Sequence, residues 1–172
     1  MFPQLNKLIP PRLQFKPGIL QHIFCSLLPD SSLHSSIHRS GFICLSGDNI
    51  FLPSVLFDTG ALRANYIDQA FVDSNIDLLR DFIKQQNHSV RLGDNSTIVH
   101  LTEILSVEVS FVDSTRTTHS ATINCSIMSM PGTTMIIGLP TILFHFFDYF
   151  SDLLRQARRQ SFCLVPAGVT AK

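Results

Sequence analysis

Between residues 104 and 127 the chain alternates apolar and polar side chains across one polar break. Val107, Val109 and Phe111 recur at every second position before Asp113-Ser114-Thr115-Arg116, and Ala121, Ile123, Cys125 and Ile127 do so after it. A two-residue period puts one set of side chains on one face of a strand, whereas a helix would scatter them around its circumference. The pattern predicts two antiparallel strands joined at the polar bend, with Asp113 in a hairpin turn. Such a pair is marginal alone, so more sheet or a helix must cover its apolar face.

Shorter segments supply that cover. Residues 42–45 and 50–57 are apolar and flank Ser46-Gly47-Asp48-Asn49, a hairpin signal. Residues 90–92 and 97–99 flank Gly93-Asp94-Asn95-Ser96, a second one. Met135-Ile136-Ile137 reads as a short strand closed by Gly138. Residues 66–86 carry Ile67, Phe71, Ile76, Leu79, Phe82 and Ile83 at a spacing that predicts helix. Residues 141–160 do the same with Leu143, Phe146, Phe147, Phe150, Leu153 and Leu154. Their last turns hold Arg155, Arg158 and Arg159, where cations suit the helix dipole. Residues 19–28 are expected to form a short helix and residues 161–165 a final strand. The expected class is all-β, mainly strands with one or two helices, closed into a small barrel.

Residues 1–40 are Pro-rich and then Ser/His-rich, and are expected as a leader or linker. Residues 41–150 are expected as the folded domain and 151–172 as a helical extension and tail. The 13 Lys and Arg balance 13 Asp and Glu, so the basic excess of a protein devoted to phosphate backbone is missing and no nucleic acid is required. A charged fraction of 15% lies below the roughly 25% of soluble domains and leaves apolar surface for a partner. The longest apolar stretch, 135–147, contains Gly138, Pro140 and His145 and falls short of the roughly 20 residues that span a bilayer. No membrane partner is expected. Cys25, Cys44, Cys125 and Cys163 form no C-x-x-C pair, as expected of free thiols in the reducing cytoplasm.

One segment carries chemistry. In Ser54-Val55-Leu56-Phe57-Asp58-Thr59-Gly60-Ala61 a carboxylate follows an apolar strand directly, at the point where that strand leaves the core. Gly60 permits a sharp turn and a close approach by another chain. Far downstream, a second apolar strand ends in Gly138 and leads into a helix. Locally, Asp58 at a strand-to-turn corner has an ordinary structural explanation as well.

Together these two motifs resemble the retropepsin-like aspartic proteases of retroviruses and LTR retrotransposons, over roughly residues 42–150. The matching residues are Leu56-Phe57-Asp58-Thr59-Gly60-Ala61, the turn Leu92-Gly93-Asp94-Asn95-Ser96 in the place of the flap, and Ile136-Ile137-Gly138-Leu139. The resemblance implies an acid-protease barrel with one catalytic loop per chain. It gives Asp58 the role of catalytic carboxylate, Thr59 that of a hydroxyl tying two active-site loops together, and Gly60 the approach to substrate backbone, beside Ala61. Leu92, Gly93, Asp94 and Asn95 become flap and substrate-binding residues, and Ile136, Ile137 and Gly138 support the loop. The chain departs from the family at Leu62-Arg63, where many viral members place acidic residues against the substrate main chain.

Peptide hydrolysis by carboxylates needs two of them sharing a proton, one as base on water and the other as acid toward the carbonyl. Aspartic proteases generally work with such a pair, whose like charges push one pKa up. This chain holds a single D-T-G, and Asp113-Ser114-Thr115 lacks the glycine, so the resemblance implies a two-fold homodimer. The expected activity is endopeptidase cleavage of a polypeptide, foremost the retroelement polyprotein that contains the chain. The alternative is an inactive dimerisation or peptide-binding module of the same fold. His34 and His38 have no third ligand beside them, so no metal is expected. Absence of G-x-S-x-G, G-x-G-x-x-G and P-loop motifs leaves serine-nucleophile and nucleotide chemistry without support, and no cofactor is expected.

Overall fold

The computed structural model describes residues 38–91 and 97–163. In chain order these form β1 (His38–Cys44), β2 (Asn49–Asp58), β3 (Asn65–Asp68), α1 (Gln69–Ser74), α2 (Ile76–Leu79) and a 3-10 turn (Arg80–Phe82). Then come β4 (Ile83–Arg91), β5 (Ile98–Val112), β6 (Thr118–Met128), β7 (Met135–Gly138), α3 (Leu139–His145) and α4 (Phe147–Cys163). The strands run in the order β1-β2-β7-β3-β6-β5-β4, and β1 also pairs with β5. That extra pairing closes six strands into a barrel and leaves β4 as a flange on β5. Closure removes the exposed edges that an open sheet would present.

The two-residue period becomes the barrel interior. Val107, Val109 and Phe111 on β5 and Ile123, Cys125 and Ile127 on β6 are all buried, with Val107 opposite Ile123 and Val109 opposite Ala121. Burial pushes the Cys125 thiol well above its ordinary pKa, so this sulfur stays neutral and packs as a small apolar group. At the polar bend, Asp113 takes the amides of Thr115 and Thr117 at 2.8 and 2.9 Å, and the hydroxyl of Thr115 and the ring of His119 at 2.7 and 2.9 Å. Asp113 thus organises a hairpin turn and does not line the cleft described below.

Phe57, 1% exposed, is the hub of the core. Its ring centroid lies 5.1 Å from that of Phe111 and 5.3 Å from that of Tyr149, with Phe146 and Phe150 also around it. Each such pair adds roughly 0.5–1.5 kcal/mol beyond burial. Tyr149, Phe150 and Leu153 belong to α4, which caps this end of the barrel and runs unbroken past residue 150. A second tie holds the helix down: the hydroxyl of Ser114 donates to the Asp152 carboxylate at 2.9 Å.

Three expectations are corrected. The helix over 66–86 is instead a strand, two short helices, a 3-10 turn and another strand. Tyr66 and Ile67 are zipped between β6 and β7, so sheet pairing overrides the helical period. Asp68 caps α1 by accepting the amide of Phe71 at 3.2 Å, and Asn75, at φ −120°, separates α1 from α2. The described residues hold four α-helices in place of one or two. Residues 161–163 belong to α4 and not to a strand. The stretch 19–28, residues 164–165 and the turn 92–96 lie outside the described residues. Among the described residues no helix is long and apolar enough to cross a membrane.

Candidate active site

Strands β2 and β7 run parallel and in register, with Val55 opposite Met135, Leu56 opposite Ile136, Phe57 opposite Ile137, and Asp58 opposite Gly138. Val55, Phe57, Met135 and Ile137 point inward and are at most 1% exposed. Their burial fixes both strands, so the next residue along β2, Asp58, emerges from the barrel half-buried. Its Oδ1 accepts the amide of Gly60 at 2.7 Å, and its carbonyl accepts the amide of Ala61 at 3.3 Å. A tight loop thus folds back on its own carboxylate, leaving Gly60 exposed.

Gly138 locks this loop to the rest of the molecule. Its amide donates to Asn65 Oδ1 at 2.9 Å, and the following amide, of Leu139, donates to the Ala61 carbonyl at 2.9 Å. A Cβ at Gly138 would lie 2.3 Å from the Ala64 carbonyl oxygen and 2.7 Å from that of Ala61. Only glycine lets these backbones approach so closely. Asn65 is 5% exposed and its Nδ2 donates to the Asn124 carbonyl at 3.0 Å. One side chain therefore ties β7 to β6 beneath the Asp58 loop. Nothing in the local sequence signals Asn65, because both of its partners are remote in the chain.

Asp58, Gly60, Ala61 and Ile136 open onto a cleft of about 1330 Å³. Ile137 and Gly138 sit behind them, buried. Thr59 is half-buried, and among the described residues its hydroxyl has no hydrogen-bond partner within the chain. Leu92, Gly93, Asp94 and Asn95 lie outside the described residues, while Val90 of β4 lines the cleft. No family model, curated protein or solved structure matches this chain.

The far wall of the cleft carries residues that sequence reasoning did not single out. His88 on β4 reaches across to the buried Ser126 of β6, with Nε2 2.8 Å from its Oγ. The other ring nitrogen, Nδ1, lies 2.9 Å from the Gln86 carbonyl. A carbonyl only accepts, so Nδ1 carries the hydrogen and Nε2 faces the serine hydroxyl. This bridge braces β4 against the barrel where the β4–β5 register slips between Gln85 and His88. Tyr66 also lines the cleft, its phenol pushed up in pKa by burial first and by the negative charge of Asp58 second. It stays protonated at neutral pH.

Proposed function

We propose that this chain is a retropepsin-like aspartic endopeptidase that works as a two-fold homodimer on a polypeptide, foremost the retroelement polyprotein containing it. The observation that carries the reading is the in-register pairing of Asp58 with Gly138 at the mouth of a large cleft. Two motifs distant in the sequence become neighbours there, and the carboxylate lies on a backbone loop held by glycine and by Asn65. The closed β barrel around them agrees with the same reading.

Asp58 and its copy across the two-fold would share one proton. The ionised carboxylate takes a proton from water, which attacks the peptide carbonyl, while the protonated one donates to the carbonyl oxygen. The proton then passes to the departing nitrogen as the carbon–nitrogen bond breaks. Thr59, without a partner inside the chain among the described residues, would find one in the second copy.

The test is Asp58→Asn, which is nearly isosteric and keeps hydrogen-bonding capacity. Wild-type chain should cleave a mixed peptide library at mildly acid pH, with activity rising faster than linearly with concentration near the dimer dissociation constant. The variant should fold, dimerise and cleave nothing. Cleavage by Asp58→Asn at the wild-type rate, or a strictly monomeric mass with activity proportional to concentration, would falsify the reading.

A further inference from the structure

The charges in the cleft are unbalanced. Among the described residues that line it, Asp58 is the one carboxylate, and it is occupied by the chemistry proposed above. Arg63 contributes a guanidinium, His88 and His145 contribute imidazoles, and Tyr66 contributes a protonated phenol. Arg63 is exposed, and among the described residues it has neither an ion pair nor a hydrogen bond.

The backbone around Arg63 is held on both sides. Ala61 is tied by its carbonyl to Leu139, Ala64 packs against Gly138, and Asn65 is bonded through both ends of its amide. Leu62 and Arg63 are the two residues between these anchors, and both are exposed. A guanidinium on a pinned loop loses little backbone freedom when it binds. Its fork matches the two oxygens of a carboxylate.

We infer that the cleft selects polypeptides with an acidic side chain beside the bond to be cut, and that Arg63 is the residue that reads it. The inference rests on the endopeptidase reading. A two-fold dimer would present Arg63 on both sides of the scissile bond, so Glu or Asp is selected on either side.

The experiment exposes the full chain to a peptide library randomised around a central position and reads the cut products by mass spectrometry. In parallel, the Asp58→Asn chain is immobilised and the peptides it retains are sequenced. Glu and Asp should be favoured over Gln and Asn flanking the cut by roughly five- to tenfold, the worth of a partly solvated charge-assisted pair. In Arg63→Gln the acid-to-amide ratio should fall to near one, and in Arg63→Glu the preference should pass to Lys and Arg. Cleavage with no acid preference, or a preference that survives Arg63→Gln, overturns the Arg63 inference and leaves the endopeptidase reading standing. No cleavage by wild type, with acidic peptides still retained through Arg63, overturns the endopeptidase reading and upholds the binding role. Neither cleavage nor retention of acidic peptides overturns both.

Discussion

Replacing Gly138 with Ala tests the geometry on which the site depends. The added methyl would lie 2.3 Å from the Ala64 carbonyl oxygen, 2.7 Å from that of Ala61 and 3.1 Å from the Ala64 carbonyl carbon. Carbon–oxygen contacts settle near 3.3 Å or beyond, so the Ala64 carbonyl would have to retreat by about 1 Å and that of Ala61 by about 0.6 Å. Neither can do so freely. Ala61 accepts the Leu139 amide, and Ala64 leads directly into β3, which is paired on both sides. A retreat of that size stretches the 2.9 Å bonds of Leu139 to Ala61 and of Gly138 to Asn65 beyond hydrogen-bonding range. Overpacking of a rigid interior costs roughly 1–3 kcal/mol, and each lost bond about 1 kcal/mol more. The sum is about 4 kcal/mol, or a fall in Tm of about 10 °C for a domain of this size. The comparison is Gly132→Ala. Gly132 has φ +85°, but no atom lies within 4 Å of the place its methyl would take, so only left-handed strain of about 1 kcal/mol applies. Urea and thermal unfolding of both variants beside wild type read the difference. A wild-type midpoint for Gly138→Ala, or a larger loss for Gly132→Ala, would refute the claim that β7 and the Asp58 loop meet at van der Waals contact.

Asn65→Ala should cost roughly 2 kcal/mol by leaving the Gly138 amide without its acceptor and the Asn124 carbonyl without the Asn65 donor; an unchanged urea midpoint would show that these bonds contribute nothing. Asp113 is held below the usual carboxylate range, first by His119, then by the Thr115 hydroxyl, with the amides of Thr117 and Thr115 adding to it. A depressed folded pKa contributes stability that is fully present above the unfolded value of about 3.9 and is lost as pH falls through the folded one. The stability gap between wild type and Asp113→Asn should therefore be constant near neutral pH and narrow below about pH 4, as followed by urea midpoints across the acid range. A gap that persists undiminished into strong acid would contradict this.

The strands of the hairpin across Asp113 are legible in the sequence because their burial is local information. Val107, Val109, Phe111, Ile123, Cys125 and Ile127 alternate along the chain as they do in space, and all six are buried. The position of Asp58 is legible for the same reason, since an apolar strand delivers its last residue to the barrel mouth whatever lies beside it. Tertiary structure alone decides the rest. Residues 66–86 fit a helical period, yet β3 is claimed by neighbours on both sides, and pairing with remote strands outweighs a local preference of a few tenths of a kcal/mol per residue. Closure of the barrel depends on β1 meeting β5, a pairing that no local spacing encodes. Asn65 is the sharpest case. Its partners lie 59 and 73 positions away, so its role exists only once the chain has folded, and only a buried polar side chain with both ends bonded can fill it without leaving a desolvated group unpaired.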